Sequence, residues 1–207
     1  PPPTTTTSAA AAATTGTAAS ASTPTTSAVK DEDSIHIPDN KVTVLRGHNH
    51  EVFICAWSPT QSNIIASCSG DSTARIWTLP PGPCGTKATI SASANPIVLQ
   101  HSMAGEVMPT GGGSKDVTTL DWSADGKRLA TGSYDGKARI WSQNGDLLAT
   151  LHKHKGPIFS LKWNKKGDYL LSGSVDNTAI IWDVSSGTVK QQFRYHQAPT
   201  LDVDWRT

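Results

Sequence analysis

The sequence predicts an all-β fold assembled from repeated four-stranded units, and three observations carry that prediction. From about Ser34 onward, short apolar runs alternate with Gly, Asp and Asn, the texture of many short strands and tight turns. One strand is written four times, as Val52–Trp57, Val117–Trp122, Ile158–Trp163 and Thr200–Trp205, each copy closing on Trp. A constant interval of six residues separates an Asp from a second Trp, in the pairs Asp71/Trp77, Asp135/Trp141 and Asp176/Trp182.

Taken in order, residues 1–33 form a Thr/Ala/Ser/Pro-rich stretch whose main large aliphatic side chain is Val29, too little to offset the entropy of ordering, and a disordered linker is expected. In three copies of the repeated strand a His stands nine residues before the Trp: His48, His154 and His196. The second copy carries instead a Gly/Ser/Pro-containing insertion between His101 and Val117, read as a surface loop, with Gly111–Ser114 as a flexible piece of it. After each Trp come a polar turn and a second strand, 64–69, 129–133 and 170–174, then an Asp-bearing turn and a third strand ending in Trp77, Trp141 or Trp182.

A spacing of about 40 residues, with the pairs Gly47-His48 and Trp182-Asp183, is the signature of WD-repeat propeller blades. The chain is therefore expected to be a partial WD-repeat β-propeller over 34–207, with repeats at about 45–78, 99–142, 151–183 and 193–207: three blades plus the first strand of a fourth. In the WD-repeat proteins it resembles, His, Ser/Thr, Asp and Trp form a hydrogen-bonded chain within a blade. A carboxylate accepts from one imidazole nitrogen, a hydroxyl meets the other, and the indole N–H receives a partner. This implies His48, Ser67, Asp71 and Trp77 in the first blade, and His154, Ser172, Asp176 and Trp182 in the third. In the second, Thr131, Asp135 and Trp141 match, while the insertion leaves the place of His101 open. Ser69, Ser133 and Ser174 lie two positions on, share the same strand face, and remain the alternative hydroxyls.

Each trio of Ser, His and Asp also looks like a nucleophile, a base and an orienting acid. A catalytic set, however, occurs once beside a cleft with oxyanion donors, whereas a blade lock recurs in every repeat. The expectation is no enzyme. His48-Asn49-His50 and His152-Lys153-His154 have no Cys or carboxylate cluster at ligand spacing, so neither a metal nor a cofactor is expected. Gly111–Ser114 is not followed by the Lys-Ser/Thr and helix of a phosphate-binding loop.

The formal charge of +1 excludes a general pull toward nucleic acid or membranes, and no run approaches the roughly 20 apolar residues of a membrane helix. Cys55, Cys68 and Cys84 are odd in number and lack CxxC spacing, which favours a reducing, intracellular compartment. The chain opens Pro1-Pro2-Pro3 with no initiator Met and no secretory leader, as expected of a fragment.

Longer stretches, loops included, resemble the transducin β-like protein 1 family of nuclear corepressor subunits. They include Asp33–Pro38, Leu45–Trp57, Gly70–Trp77, Leu129–Gly136, His154–Phe159, Lys162–Gly167, Lys190–Phe193 and Ala198–Trp205. The resemblance implies a scaffold in a nuclear-receptor corepressor and histone deacetylase 3 complex. With it come transcriptional repression, contact with histone tails and recruitment of ubiquitin-dependent machinery. It implies no direct sequence-specific binding of nucleic acid, and oligomerisation through an N-terminal LisH segment followed by an F-box-like segment and an eight-bladed ring. Three blades and a stub do not close such a ring, so poor stability in isolation is expected. For a partner-binding face at the strand mouths, His50, Asp116, Tyr134 and Lys155 are the candidates, beside the first strand or before the turn Asp. The competing expectation is a generic WD-repeat adaptor, such as a ubiquitin-ligase substrate receptor or a cytoplasmic signalling scaffold.

Overall fold

A computed structural model describes residues 42–79, 95–101 and 115–206. The expected linker over 1–33, the Asp33–Pro38 stretch, Cys84 and the 102–114 insertion lie outside these residues. The strands are β1 (Val52–Trp57), β2 (Ile64–Ser69), β3 (Thr73–Thr78), β4 (Ile97–Gln100), β5 (Val117–Trp122), β6 (Arg128–Ser133), β7 (Lys137–Ser142), β8 (Leu147–His152), β9 (Ile158–Trp163), β10 (Tyr169–Ser174), β11 (Ala179–Asp183) and β12 (Thr188–Phe193). They form three antiparallel meanders, β1-β2-β3-β4, β5-β6-β7-β8 and β9-β10-β11-β12. The chain is thus a WD-repeat β-propeller chain of four-stranded blades.

Blades and sequence repeats are out of step by about one strand. β4 pairs with β3 through Ala74↔Leu99 and Arg75↔Val98, so residues that open the repeat at 99–142 complete the preceding sheet. β8 does the same for the second blade, pairing Ala138 with Leu151. Each sheet is therefore closed by chain already leading into the next one.

The hydrophobic period explains where the core sits. Alternate strand residues face opposite ways, and the middle blade is buried on both sides. Leu129 and Trp141 join Ile64, Ala66, Cys68, Ile76, Leu99 and Trp122 between the first two blades. Their neighbours Ala130 and Ile140 join Leu151, Ile158, Leu161, Trp163, Leu170 and Trp182 between the second and third.

A β-bulge recurs near the start of every first strand. Val52 pairs with Ser69, Val117 with Ser133 and Ile158 with Ser174, and the register then slips by one residue. The extra residues are Phe53, Thr118 and Phe159. Bulges re-aim side chains, and the three differ in use. Phe53 and Phe159 stay exposed, whereas Thr118 is buried and donates its hydroxyl to the carbonyls of Gly132 and Ile158, tying the second blade to the third.

The Trp that closes each first strand also ties blades together. Trp122 Nε1 donates to Ala56 O at 3.2 Å, Trp163 to Asp121 O at 3.1 Å and Trp205 to Lys162 O at 3.0 Å. Each time the acceptor immediately precedes the Trp of the preceding blade. The fourth copy, Thr200–Trp205, is not a hydrogen-bonded strand among the described residues, because no second strand lies beside it. It nevertheless docks on the third blade, through Trp205 and through Ser160 Oγ donating to Asp202 at 2.9 Å.

Candidate functional site

At one end of each blade, the loop leading into the first strand meets the turn between the second and third strands. The turn backbone is pinned to that loop by Gly70 N–H to Glu51 O, Tyr134 N–H to Asp116 O and Val175 N–H to Pro157 O. Ser69, Ser133 and Ser174 serve the same junction. Their hydroxyls donate to the carbonyls of His50, Lys115 and Gly156 and accept from the N–H of Asp71, Asp135 and Asp176. These alternative hydroxyls therefore hold the turn and do not reach the His. The residue after each Asp has positive φ, Ser72 at 65°, Gly136 at 75° and Asn177 at 64°, a conformation that Gly and Asn tolerate best.

In the first and third blades the structure brings the expected four residues together. His48 Nδ1 donates to Asp71 Oδ2 at 2.9 Å, Ser67 Oγ lies 2.7 Å from His48 Nε2, and Trp77 Nε1 donates to Ser67 Oγ at 2.9 Å. The third blade repeats this with His154–Asp176 at 3.0 Å, His154–Ser172 at 2.8 Å and Trp182–Ser172 at 2.8 Å. Two threonines that sequence reasoning missed complete the sets. Thr73 and Thr178 donate their hydroxyls to the other oxygen of Asp71 and Asp176, at 2.6 and 2.7 Å. Their signal was present in the strings Asp71-Ser-Thr73 and Asp176-Asn-Thr178.

The second blade is built differently. His101 does take part, with Nε2 2.8 Å from Thr131 Oγ1, which also accepts from Trp141 Nε1 at 2.8 Å. Its Nδ1, however, faces the Arg139 guanidinium at 2.9 Å, and Arg139 in turn binds Asp135 at 3.0 Å. An Arg only donates, so His101 Nδ1 is an acceptor and the proton sits on Nε2. Donor–acceptor matching puts it on Nδ1 in His48 and His154, so the direction of the chain is reversed in the middle blade. Here Lys137 stands where the other blades have Thr, and Arg139 supplies the missing donor to the carboxylate. In the first blade the equivalent Arg75 has no such task. It lies 3.9 Å from Asp71, and its buried Nε has no hydrogen-bond partner among the described residues.

The electrostatics follow from these contacts. Burial alone would raise the Asp71 carboxyl, but hydrogen bonds from Thr73, His48 and the Asn49 N–H together bring it down to about 2. Asp176 is lowered in the same way, burial being outweighed by Thr178, the Lys155 N–H and His154. Burial lowers His154, with Asp176 opposing. Burial, then the Arg139 and Lys115 charges, push His101 well below the ordinary His range. Burial holds the Cys68 thiol up at about 12, an unreactive state.

Although His, Ser and Asp stand in nucleophile-like order, each hydroxyl already accepts an indole N–H inside a sheet. Ser172 and Thr131 are fully buried, which suits a brace between turn, strand and loop. No group of His, Cys, Asp and Glu able to hold a metal occurs among the described residues, and none of their helices is long and apolar enough to cross a membrane.

The four candidate partner-binding residues all lie at this same end. His50, Tyr134 and Lys155 are exposed and Asp116 is half-buried. Tyr134 and Lys155 come closest to forming one surface. The turn carrying Tyr134 abuts the loop carrying Lys155, since a Cβ on Gly136 would lie 3.0 Å from Gly156 O. Tyr134 also stacks edge-on against the bulge residue Phe159, with ring centroids 6.3 Å apart. Sequence reasoning missed Phe53, Phe159 and Val175 here, because a bulge leaves no trace in an alternating pattern.

The model of the WD domain, G-beta repeat family matches residues 39–78, 105–142 and 145–183. The chain is 47% identical over 177 residues to the human F-box-like/WD repeat-containing protein TBL1Y, a match covering 84% of this chain and 32% of that protein. To the Arabidopsis thaliana WD40 repeat-containing protein HOS15 it is 58% identical over 171 residues, covering 83% of this chain and 27% of that one. The chain thus spans about a third of the length of the relatives it matches. Among solved structures, the one described as "Structure of U3-55K" superposes with a TM-score of 0.58 at 25% identity, over 75% of this chain and 42% of the other. The repeated blades, their internal braces and these similarities together show that the chain belongs to the WD-repeat family, in the group of transducin β-like protein 1.

Proposed function

We propose that the protein is a transcriptional corepressor scaffold: a WD-repeat platform, without enzymatic activity, in a nuclear complex of nuclear-receptor corepressor proteins and histone deacetylase 3. In that role it holds histone tails or corepressor peptides near the deacetylase and links repressed chromatin to ubiquitin-dependent corepressor exchange. The observation that carries this reading is the 47% identity to TBL1Y over 177 residues, 84% of the chain. The names of two relatives support it. TBL1Y is described as F-box-like, and the yeast relative SIF2, 38% identical over 142 residues, is described as SIR4-interacting. His50, Asp116, Tyr134 and Lys155 are the proposed contact residues, and the buried tetrads are braces that keep their loops in place.

The test is affinity purification of the full-length protein from nuclear extract. Deacetylase activity and a corepressor subunit are expected to co-purify, and Tyr134→Ala with Lys155→Glu to reduce the yield. A nuclear preparation lacking both, with partners recovered only from cytoplasm, would support a generic cytoplasmic adaptor instead.

A further inference from the structure

We propose that the junction of the second and third blades docks an acidic peptide segment carrying an aromatic or aliphatic anchor, so that of the ligands proposed above a corepressor segment and not a basic histone tail occupies this junction; this rests on the reading of that end as the partner face. Three apolar side chains stand exposed there: Tyr134 at 45%, Phe159 at 37% and Val175 at 36%. None is needed by the cores beneath. The bulge lifts Phe159 out of the ladder, Tyr134 meets it edge-on, and Val175 is pinned through its N–H to Pro157 O. The three are backed by ordered backbone, so little freedom is lost when a ligand covers them.

The exposed charge around this apolar centre is one-sided. Lys153 and Lys155 are exposed, whereas Asp116, Asp135 and Asp176, the carboxylates at this end of the two blades, are half-buried, as are Lys115 and Lys137. Two of those carboxylates also have internal partners. Asp135 is bound by Arg139, and Asp176 receives His154, the Lys155 N–H and both donors of Thr178. Lys153 and Lys155 flank the buried His154, are exposed, and make no ion pair among the described residues. The exposed charge bordering the apolar centre is thus positive and suits an acidic ligand. A nucleic acid strand fits less well, because tracking phosphates takes a longer row of cations than two lysines beside an apolar centre.

Fluorescence anisotropy of the full chain decides the matter, using a short labelled peptide of Glu and Ser around a central Phe and Leu. A second peptide has Lys in place of Glu, and an oligothymidine strand is the competitor. The acidic peptide is expected to bind and to weaken with added salt. It should also weaken about tenfold with Lys153→Glu/Lys155→Glu, and comparably with Tyr134→Ala/Phe159→Ala. Tighter binding of the Lys peptide, strengthened by the charge reversal, overturns the acidic specificity while leaving the partner face intact. Oligothymidine binding more tightly than either peptide, or no binding by any probe, overturns the proposal outright. Peptide binding indifferent to Tyr134→Ala/Phe159→Ala removes both the proposal and the placement of the partner face. Matching melting curves for each variant keep a loss of affinity separate from a loss of fold.

Discussion

Two arginines at equivalent positions show how far one side chain's role depends on what already surrounds it. Arg139 donates to both His101 and Asp135, whereas Asp71 already accepts from His48, Asn49 and Thr73 before Arg75 approaches. Removing one member of a buried charged set leaves the other uncompensated, while removing a distant charge from a carboxylate that other donors already satisfy costs less. Arg139→Met is therefore expected to destabilise the protein by about 3–5 kcal/mol, and Arg75→Met by less than about 1 kcal/mol. Chemical denaturation of the two variants checks the contrast, and equal losses would refute the reversed hydrogen-bond direction. The strings Ala74-Arg-Ile-Trp77 and Ala138-Arg-Ile-Trp141 are identical. The difference between them resides in Thr73 against Lys137, two residues before each Arg, and in the His101 ring, which turns its Nδ1 to Arg139.

At the scale of strands and sheets, the packing between neighbouring blades is shared out unevenly. Gly132 takes the second-strand position next to Ile158, where a Cβ would come within 2.8 Å of that side chain. The first blade has Cys68 at the equivalent place, in the same core as Val117, the smaller counterpart of Ile158. Small against large has become medium against medium. Cys68→Gly should leave a cavity, and Val117→Ile alone should overpack, each by about 1–3 kcal/mol. The double variant should recover about 1 kcal/mol relative to their sum, and a double-mutant cycle by thermal melts would show strict additivity if the two sites are independent. The strands themselves were readable from alternation and from the Trp and Asp intervals. Pairing of 97–100 with β3 was not, because a repeat found by spacing has no marker for which sheet hydrogen-bonds its first segment. Nor was the bulge, since Val52-Phe53-Ile54 and Ile158-Phe159-Ser160 do not show which residue leaves the ladder.

For the molecule as a whole, stability is divided between two inter-blade cores and held in register by the buried polar sets, which makes it sensitive to acid. His154 and His101 have folded pKa values below the ordinary 6.5, so the unfolded chain binds their protons first and stability falls as pH drops below about 6.5. Asp71, at about 2 against an ordinary 3.8, adds a second loss as pH falls from about 4 toward 2, and Asp176 acts in the same direction. Melting temperature measured against pH should thus decline in two stages on the acid side. Asp71→Asn should blunt the lower stage, and a flat profile down to pH 3 would contradict the assigned contacts. The braces were the most readable part of the site, because a hydrogen-bonded set repeated at fixed intervals leaves its residue types in the sequence. The exposed apolar rim was the least readable, because exposure depends on bulges and on which blade stands alongside.

The staggering of repeat and sheet has a mechanical side. Just after the last strand of the first and second blades stands a His whose ring is anchored in the sheet ahead, His101 in the second blade and His154 in the third. A pull that draws one blade away from the next loads those His contacts, and the imidazoles then act as pins that hold each connection to the sheet ahead.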